Sequence, residues 1–453
     1  MAVDAPEDVA TGVCERVLDL IGGRAEAVAS ATVGTSSLTR FANSRIHQNV
    51  TEDLRSVRLA VAVGGGRMAR ASTTRTDADG LAVLVERALA AAALRPEDPD
   101  FPGFAPAAPV PSVSHWDDGT AEATPAARAA VVAGFVAAGE GLEAAGYCST
   151  SAVTRALVSS TGLRVVGRST EAQVDGVHRA LVGGPHPADG YAQATSIRLA
   201  DLDGASCGGV AAAKARSGLD PVALPPGAYE VVLEPKAVAA VLAFPALYGF
   251  NGKAHAEGTS FVRVGEAQWD PAVDIWDDAT DPRALGVGFD AEGTPRSRYP
   301  LVEAGVSAGL THDRRSARLA GAAPTGHSLG TESFGGCPTH LFLGSGSAPP
   351  ADLMAGVTRG LLVTDFWYNR ILDPKTQVVT GLTRNGLYLV EDGRVAGPVQ
   401  NLRYTQAVVG AFGPGRVMAL GADAQLVGDG EFAIMHVPSV RLQAWQFTGN
   451  AQG

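Results

Sequence analysis

The chain has 453 residues, a length that fits about two domains of roughly 100–200 residues each. Hydrophobic residues make up 46% and charged residues 18%, enough apolar side chain to bury a large core, which excludes wholesale disorder. The 36 Lys and Arg against 47 Asp and Glu leave a formal charge of −11, which disfavours sequence-independent binding to nucleic acid and leaves no polybasic membrane anchor.

Residues 7–21 carry Val9, Val13, Val17, Leu18 and Ile21 at helical spacing, and Gly22-Gly23 ends the run. Around residues 41–48 a turn at Asn43-Ser44 separates two extended pieces. Val57, Leu59, Val61 and Val63 alternate as on a half-buried strand, and Gly64-Gly65-Gly66 turns the chain into a strand over 67–73. Asp77 or Asp79 caps a helix through Leu81, Leu84, Val85, Ala88 and Leu89. Residues 96–125 are Pro-rich and aperiodic, which predicts a surface loop. A helix from about Pro125 to Ala145, strands over 147–160 and 163–174, and a helix over 206–217 ending at Gly218 follow. Asp220-Pro221 and Pro225-Pro226-Gly227 mark a linker, so the expected domains are 1–220 and 228–453, joined by 221–227.

Glu230–Leu233 predicts a strand and Lys236–Leu247 a short helix. Beyond these, short β-runs recur at 360–366, 377–382, 386–390, 416–420, 431–437 and 441–447. Asp392-Gly393 and Asp429-Gly430 read as hairpin turns. The expected class is α+β. An N-terminal domain mixes antiparallel sheet with helices, and a β-rich C-terminal domain forms a sandwich or partial barrel.

The residues that carry chemistry are sparse. The cysteines, Cys14, Cys148, Cys207 and Cys337, lie far apart, with no CxxC to suggest a zinc ribbon, a redox site or a disulfide framework. The nine histidines include no HExxH and no HxH. Cys337-Pro-Thr-His340 is the nearest approach to a ligand pair and needs His312 or His327 to complete it; the same two residues are a fallback nucleophile and base. Gly204-Ala-Ser206-Cys-Gly208 fits GxSxG, but Asp201 and Asp203 end the run before it, so a helix cap at Asp203 or Ser206 is the expected role. The acidic stretch from Asp270 to Glu292 fits no calcium-loop spacing, and Pro271 and Pro282 predict a solvated loop. Trp367-Tyr-Asn-Arg370 can line a site, but such an aromatic cluster more often predicts core or interface. Met1 to Asp8 is acidic without an apolar core, unlike a secretory signal. The longest apolar run, 237–250, holds Pro245 and is too short to span a bilayer. A cytoplasmic protein is expected.

Several segments together resemble the TldD/PmbA family. They are Thr39-Arg-Phe-Ala-Asn-Ser-Arg-Ile-His-Gln48 with the strand, Gly turn and helix after it, and Gly227-Ala-Tyr-Glu-Val-Val-Leu-Glu-Pro235. Gly258-Thr-Ser260, Asp277-Asp278, Phe289-Asp-Ala-Glu-Gly293, Gly326-His327 and the end from Val437 to Gly449 continue it in order over nearly the whole chain. The resemblance implies a two-domain cytoplasmic protein of a proteolytic complex built from two related chains, which processes peptides, including modified peptide natural products. One chain of such a pair carries zinc in HExxxH with a late Cys as third ligand, the Glu acting as general base.

This sequence departs from that motif. In register with Val231–Pro235, Phe244 and Gly249 stand at the histidines and Pro245 at the Glu, and no Cys follows Cys337. That is the pattern of the TldE/PmbA branch. The resemblance therefore implies a non-catalytic subunit with no catalytic residue and no cofactor of its own. Zinc is expected in a TldD-like partner, peptide as the substrate, and His255, His312 and His327 as candidate cavity or interface residues. Nucleic acid and membrane are not expected partners. The alternatives are an enzyme with a relocated metal or Cys337/His340 site, and a stand-alone peptide-binding or homodimeric scaffold.

Overall fold

The computed structural model describes residues 5–181, 187–331, 333–428 and 433–450. Helix α1 (Pro6–Ile21) has Pro in its first turn and ends where Gly22 turns left-handed at φ 57°. Three strands follow: β1 (Glu26–Ala42), β2 (Arg45–Val63) and β3 (Arg67–Thr73). Asn43 and Ser44, at φ 50° and 59°, form the two-residue hairpin between β1 and β2. Next come α2 (Ala78–Ala93), capped by the Asp77 side chain on the Gly80 N–H, and the single turn α3 (Asp118–Ala121). Helix α4 (Pro125–Ala138) is capped by Thr124, and α5 (Gly204–Ser217) by Asp203. Between them lie β4 (Glu143–Ser159), β5 (Arg164–Ala180) and β6 (Ala188–Ser196). The six strands make one antiparallel sheet in the order β3-β2-β1-β4-β5-β6.

All the long helices cover the same face of this sheet. Ala27, Ala29 and Ala31 of β1 join Val57, Leu59 and Val61 of β2 beneath α1 and α2. Phe41, Cys148, Ala172 and Val174 pack beneath α4 and α5. The alternate residues point away from the helices, and many of them are Ser, Thr or Arg, with Val28, Leu54 and Leu157 among the apolar exceptions. This explains two departures from the sequence pattern. Strand β2 runs unbroken from Arg45, and β1 is a full strand that apolar alternation does not reveal. Helix α4 stops at Ala138 rather than near Ala145, because Gly139 and then Gly141 (φ 80°) break it and β4 starts at Glu143. The run 197–202 holds a single 3-10 turn, not the strand that a nucleophile elbow requires.

The C-terminal half starts with β7 (Gly227–Leu233), α6 (Pro235–Phe244), a π-turn over Pro245–Gly249 and α7 (Gly252–Ala256). Strands β8 (Ile275–Asp277), β9 (Tyr299–Glu303) and β10 (Val306–Ser307) are followed by α8 (Arg314–Ala320). Then come β11 (His340–Leu343), α9 (Pro350–Ala355), β12 (Arg359–Val363) and β13 (Phe366–Asp373). A meander follows of β14 (Val378–Thr383), β15 (Leu387–Glu391), β16 (Arg394–Pro398) and β17 (Leu402–Ala407). The chain closes with α10 (Val408–Ala411), β18 (Val417–Leu420), β19 (Gln425–Gly428), β20 (Ile434–Val437) and β21 (Val440–Asn450). Asp392-Gly393 makes the β15–β16 turn; Asp429-Gly430 lies outside the described residues. These strands form two open sheets, β10-β9-β8-β11-β20-β19 and β13-β14-β17-β21-β7-β12-β15-β16 with β18 on β21. One core of α6, Trp269, Phe250, Tyr404 and Trp445 joins them. Among the described residues no helix is long and apolar enough to cross a membrane.

Residues 96–117 are not the free surface loop that their composition predicts. They run between the open face of the N-terminal sheet and the C-terminal half. Ala105 is buried with Leu157, Leu163, Val287 and Phe289. His115 is fully buried, its ring nitrogens 3.1 Å from the Gly286 carbonyl and 2.9 Å from the Asp281 carbonyl. Arg315 pairs with Asp98, and Arg314 donates to the Gly103 carbonyl at 3.0 Å. The segment laces the two halves together.

Candidate functional site

The open face of the N-terminal sheet and the C-terminal half enclose a cavity of about 1430 Å³. That exceeds the roughly 300–1,000 Å³ of most small-molecule sites. The sheet supplies rows of short polar residues, among them Ser30, Thr32, Ser56, Ser72, Ser151 and Ser169. Arg58, Arg155, Glu171 and Asp175 rise from the same face, because they alternate with the helix-covered positions of β2, β4 and β5. Opposite them stand Lys236, Phe289, Asp290, Glu292, Arg296 and His340.

The wall around His340 is tightly specified. Asp277 is 1% exposed; its Oδ2 accepts the His340 backbone N–H at 2.6 Å, and its Oδ1 lies 3.1 Å from His327 Nε2. His327 Nδ1 is 2.9 Å from Thr325 Oγ1. Burial pushes the Asp277 carboxyl up, but the His327 ring and its hydrogen bond, with His340 and Arg296 behind them, hold it below the ordinary carboxylate range. The His340 ring is pushed down to about 3, by burial and then by the Arg296 charge. It is therefore neutral, and its Nδ1 accepts from Arg296 Nη1 at 2.7 Å. Burial also pushes Glu171, Asp175 and Asp290 up, and raises Glu292 to about 7 with help from the Asp290 charge.

The acidic stretch 270–292 is not a solvated loop. Asp270, Asp277, Asp278 and Asp290 are all buried, and each ties down backbone or side-chain donors. Asp290 alone accepts the N–H groups of Glu292, Thr294 and Ser328. Burial of a carboxylate is tolerated only with such partners.

Of the histidines singled out from the sequence, His327 is buried with Asp277 behind His340 and is not among the residues that line the cavity. His312 is buried against Gly252 and Ser316, and His255 is exposed on α7. Cys337 and His340 do not meet as a nucleophile and base. Cys337 is buried behind Asn251, whose Nδ2 donates to its Sγ at 3.1 Å, and burial pushes the thiol up to about 12. All four cysteines are buried and free. Trp367 and Tyr368 do not enter the core: they are 44% and 58% exposed on the edge strand β13.

Phe244, Pro245 and Gly249, where the resemblance implies that HExxxH would fall, sit in tight packing. Nowhere in the sequence does Glu follow His. Phe244 stacks on Tyr248 with ring centroids 6.5 Å apart. Pro245 is buried and has no N–H, so the α6 ladder ends and the Phe250 N–H bonds back to the Pro245 carbonyl at 2.9 Å. A Cβ on Gly249 would lie 2.1 Å from Phe261 Cε1. These residues do not fit a zinc ion. Among the described residues no three His, Cys, Asp or Glu side chains gather as a metal site.

Arg155 and Arg296 carry no sequence motif. Their only signal is an Arg on the outward positions of an alternating strand and an Arg beside Pro295, 141 residues further on.

The profile of the PmbA/TldA metallopeptidase C-terminal domain matches residues 226–449, and that of PmbA/TldA metallopeptidase domain 1 matches residues 27–92. A metalloprotease TldD homolog of Haemophilus influenzae is 28% identical over 189 residues, 40% of this chain and 39% of that protein. One from Buchnera aphidicola is 26% identical over 161 residues, 34% of this chain and 33% of that protein. The matched segments thus span only a third to two fifths of these relatives. Among solved structures, TldE from Thermococcus kodakarensis superimposes with a TM-score of 0.86 at 18% identity, over 97% of this chain and 100% of that one. A protein described as a modulator of DNA gyrase from Thermotoga maritima superimposes with a TM-score of 0.83 at 17% identity, over 96% and 99%. At such identities the superpositions show a shared fold. Together with the two profile matches, they establish that the chain belongs to the TldD/PmbA family of metallopeptidase-like proteins.

Proposed function

We propose that this chain is the zinc-free, non-catalytic subunit of a two-chain peptidase of the TldD/TldE type, acting in the cytoplasm on short or unfolded peptides. The observation that carries this reading is the packing at 244–249. Phe244, Pro245 and Gly249 build an apolar turn against Phe261, where a catalytic chain needs two imidazoles and a carboxylate. The fallback pair gives no support to an independent enzyme, because the Cys337 thiol is protonated at neutral pH and turned toward Asn251.

Two further features support a partner and a peptide. Trp367, Tyr368 and Leu372 are exposed along β13, an edge strand of the larger C-terminal sheet, where Arg384 lies 3.6 Å over the Trp367 ring. Residues 101–105 line part of the cavity, which favours an extended chain over a folded protein as its occupant.

Co-expression with a TldD-like chain from the same genome is expected to give a complex that elutes as one species and cleaves unstructured peptides, while this chain alone cleaves none. Replacing Trp367 and Tyr368 with Ser is expected to weaken the association at least about tenfold, as for aromatic anchors at other interfaces. Two chains that elute separately, or peptide cleavage by this chain alone, would overturn the proposal.

A further inference from the structure

The cavity has a charge opposite to that of the protein. The chain carries −11 overall, yet eight Lys and Arg side chains line the cavity against four Asp and Glu. Burial pushes all four of those carboxylates toward their neutral forms, which tilts the balance further.

Most of the cations have protein partners. The side chains of Arg58 and Arg155 make no hydrogen bond or ion pair among the described residues. They stand on either side of β1, Arg58 opposite Ser30 and Arg155 opposite Thr32. From the other wall comes Arg296, only 9% exposed. Its Nη1 donates to Thr339 Oγ1 at 3.0 Å and to His340 Nδ1, both neutral acceptors, and its Nε has no partner. The charges of Arg58 and Arg296 both act against that of Arg155, where Glu171 offsets them, while Asp290 and the buried Asp277 lie near Arg296. Like charges held together around a cavity are costly unless an anion joins them.

We propose that Arg155, Arg58 and Arg296 form a subsite that binds a carboxylate of a peptide lying along the open face of the sheet. The Ser and Thr rows leave room for a peptide backbone, and guanidinium groups match a carboxylate by paired N–H donors. His340 acts as a positioning residue: it accepts from Arg296 and holds that guanidinium in the wall. The carboxylate is either the peptide's C-terminus or an acidic side chain. This inference rests on the peptide reading above.

The test uses octapeptides of one neutral sequence, acetylated at the N-terminus and labelled with an uncharged fluorophore, in four forms: C-terminus free or amidated, and one central residue Glu or Gln. Anisotropy is measured with the full chain, alone and in complex with the TldD-like chain. Peptides with the decisive carboxylate are expected to bind at least about tenfold more tightly than the uncharged form, with the difference shrinking as salt rises. The free-terminus and Glu arms tell the two sources apart. Arg155→Gln, and separately Arg58→Gln, should abolish that difference; neither side chain makes a hydrogen bond or ion pair among the described residues and Gln keeps most of the aliphatic stem, so both variants should fold. Equal binding of all four peptides, or a difference that survives both substitutions, would overturn the subsite while sparing the peptide reading. Absence of peptide binding in both preparations would overturn both.

Discussion

Building HExxxH into this chain with Phe244→His, Pro245→Glu and Gly249→His is expected to yield a destabilised protein that still fails to hold zinc. The reason lies in Gly249. The Phe261 ring fills the space beside the Gly249 Cα, and any Cβ there would sit 2.1 Å from the ring edge. Phe261 in turn packs on Phe250 and Trp269, with centroids 5.8 Å and 5.9 Å away, so it cannot swing aside without opening the core. Overpacking of this kind costs about 1–3 kcal/mol and sometimes more. A loss of about 3 kcal/mol would lower Tm by roughly 6–12 °C in a domain of this size. Gly249→Ala alone should account for most of the loss. Phe261→Ala alone opens a cavity and costs about 3–5 kcal/mol. The double variant should cost less than the sum of the two, because each change relieves the other's defect. A Gly249→Ala protein that melts at the parental temperature would refute this account.

The second large effect is expected at Asp277. Asp277→Ala leaves the His340 N–H and the His327 Nε2 without a buried partner, a loss of about 3–5 kcal/mol. Asp277→Asn should cost clearly less. Its carbonyl can take the His340 N–H while its amide donates to His327, once that ring moves its proton to Nδ1 and donates to Thr325. The pH dependence follows from the depressed folded-state pKa. A carboxyl depressed in the folded state contributes fully above its unfolded value of about 3.9 and loses that contribution as pH falls through the folded value. The gap in stability between the parent and Asp277→Asn should therefore hold steady from pH 8 to 5 and close below about pH 4. A gap that stays constant into acid would show that the charge on Asp277 is irrelevant.

Much of the fold was legible where local chemistry decides it. Asp77 and Asp203 cap their helices by bonding the N–H three residues on, as residues of their type do at helix starts. The Asn43-Ser44 turn and the Asp392-Gly393 turn follow from residues that tolerate positive φ. What stayed hidden depends on the second face of the N-terminal sheet. Apolar alternation reports burial against a core, but the face of β1 and β2 toward the cavity carries Ser30, Thr32, Ser56 and Arg58 among a few apolar residues, so much of each strand looked like loop. The 96–117 segment reads as surface because it is Pro-rich, yet its burial comes from contacts with residues nearly two hundred positions away. The site divides in the same way. Asp277-Asp278 and Gly326-His327 were visible as family motifs, but nothing local says that Asp277 and His327 touch across 50 residues. Asp270 and Asp290 looked like solvent ligands because their donors are backbone N–H groups, which any residue type can supply. Arg155 and Arg296 acquire meaning only from the cavity that brings their strands face to face.

The central claim is that the zinc of the complex belongs to the other chain. It is tested most directly by mass-spectrometric metal analysis of protein purified without chelators, alone and after co-expression with a TldD-like chain. About one zinc per two-chain complex and none in the lone chain is the result expected. Stoichiometric zinc in the lone chain would contradict it and would require His327, His312, His340, Cys337 or His255 to rearrange from the contacts described above.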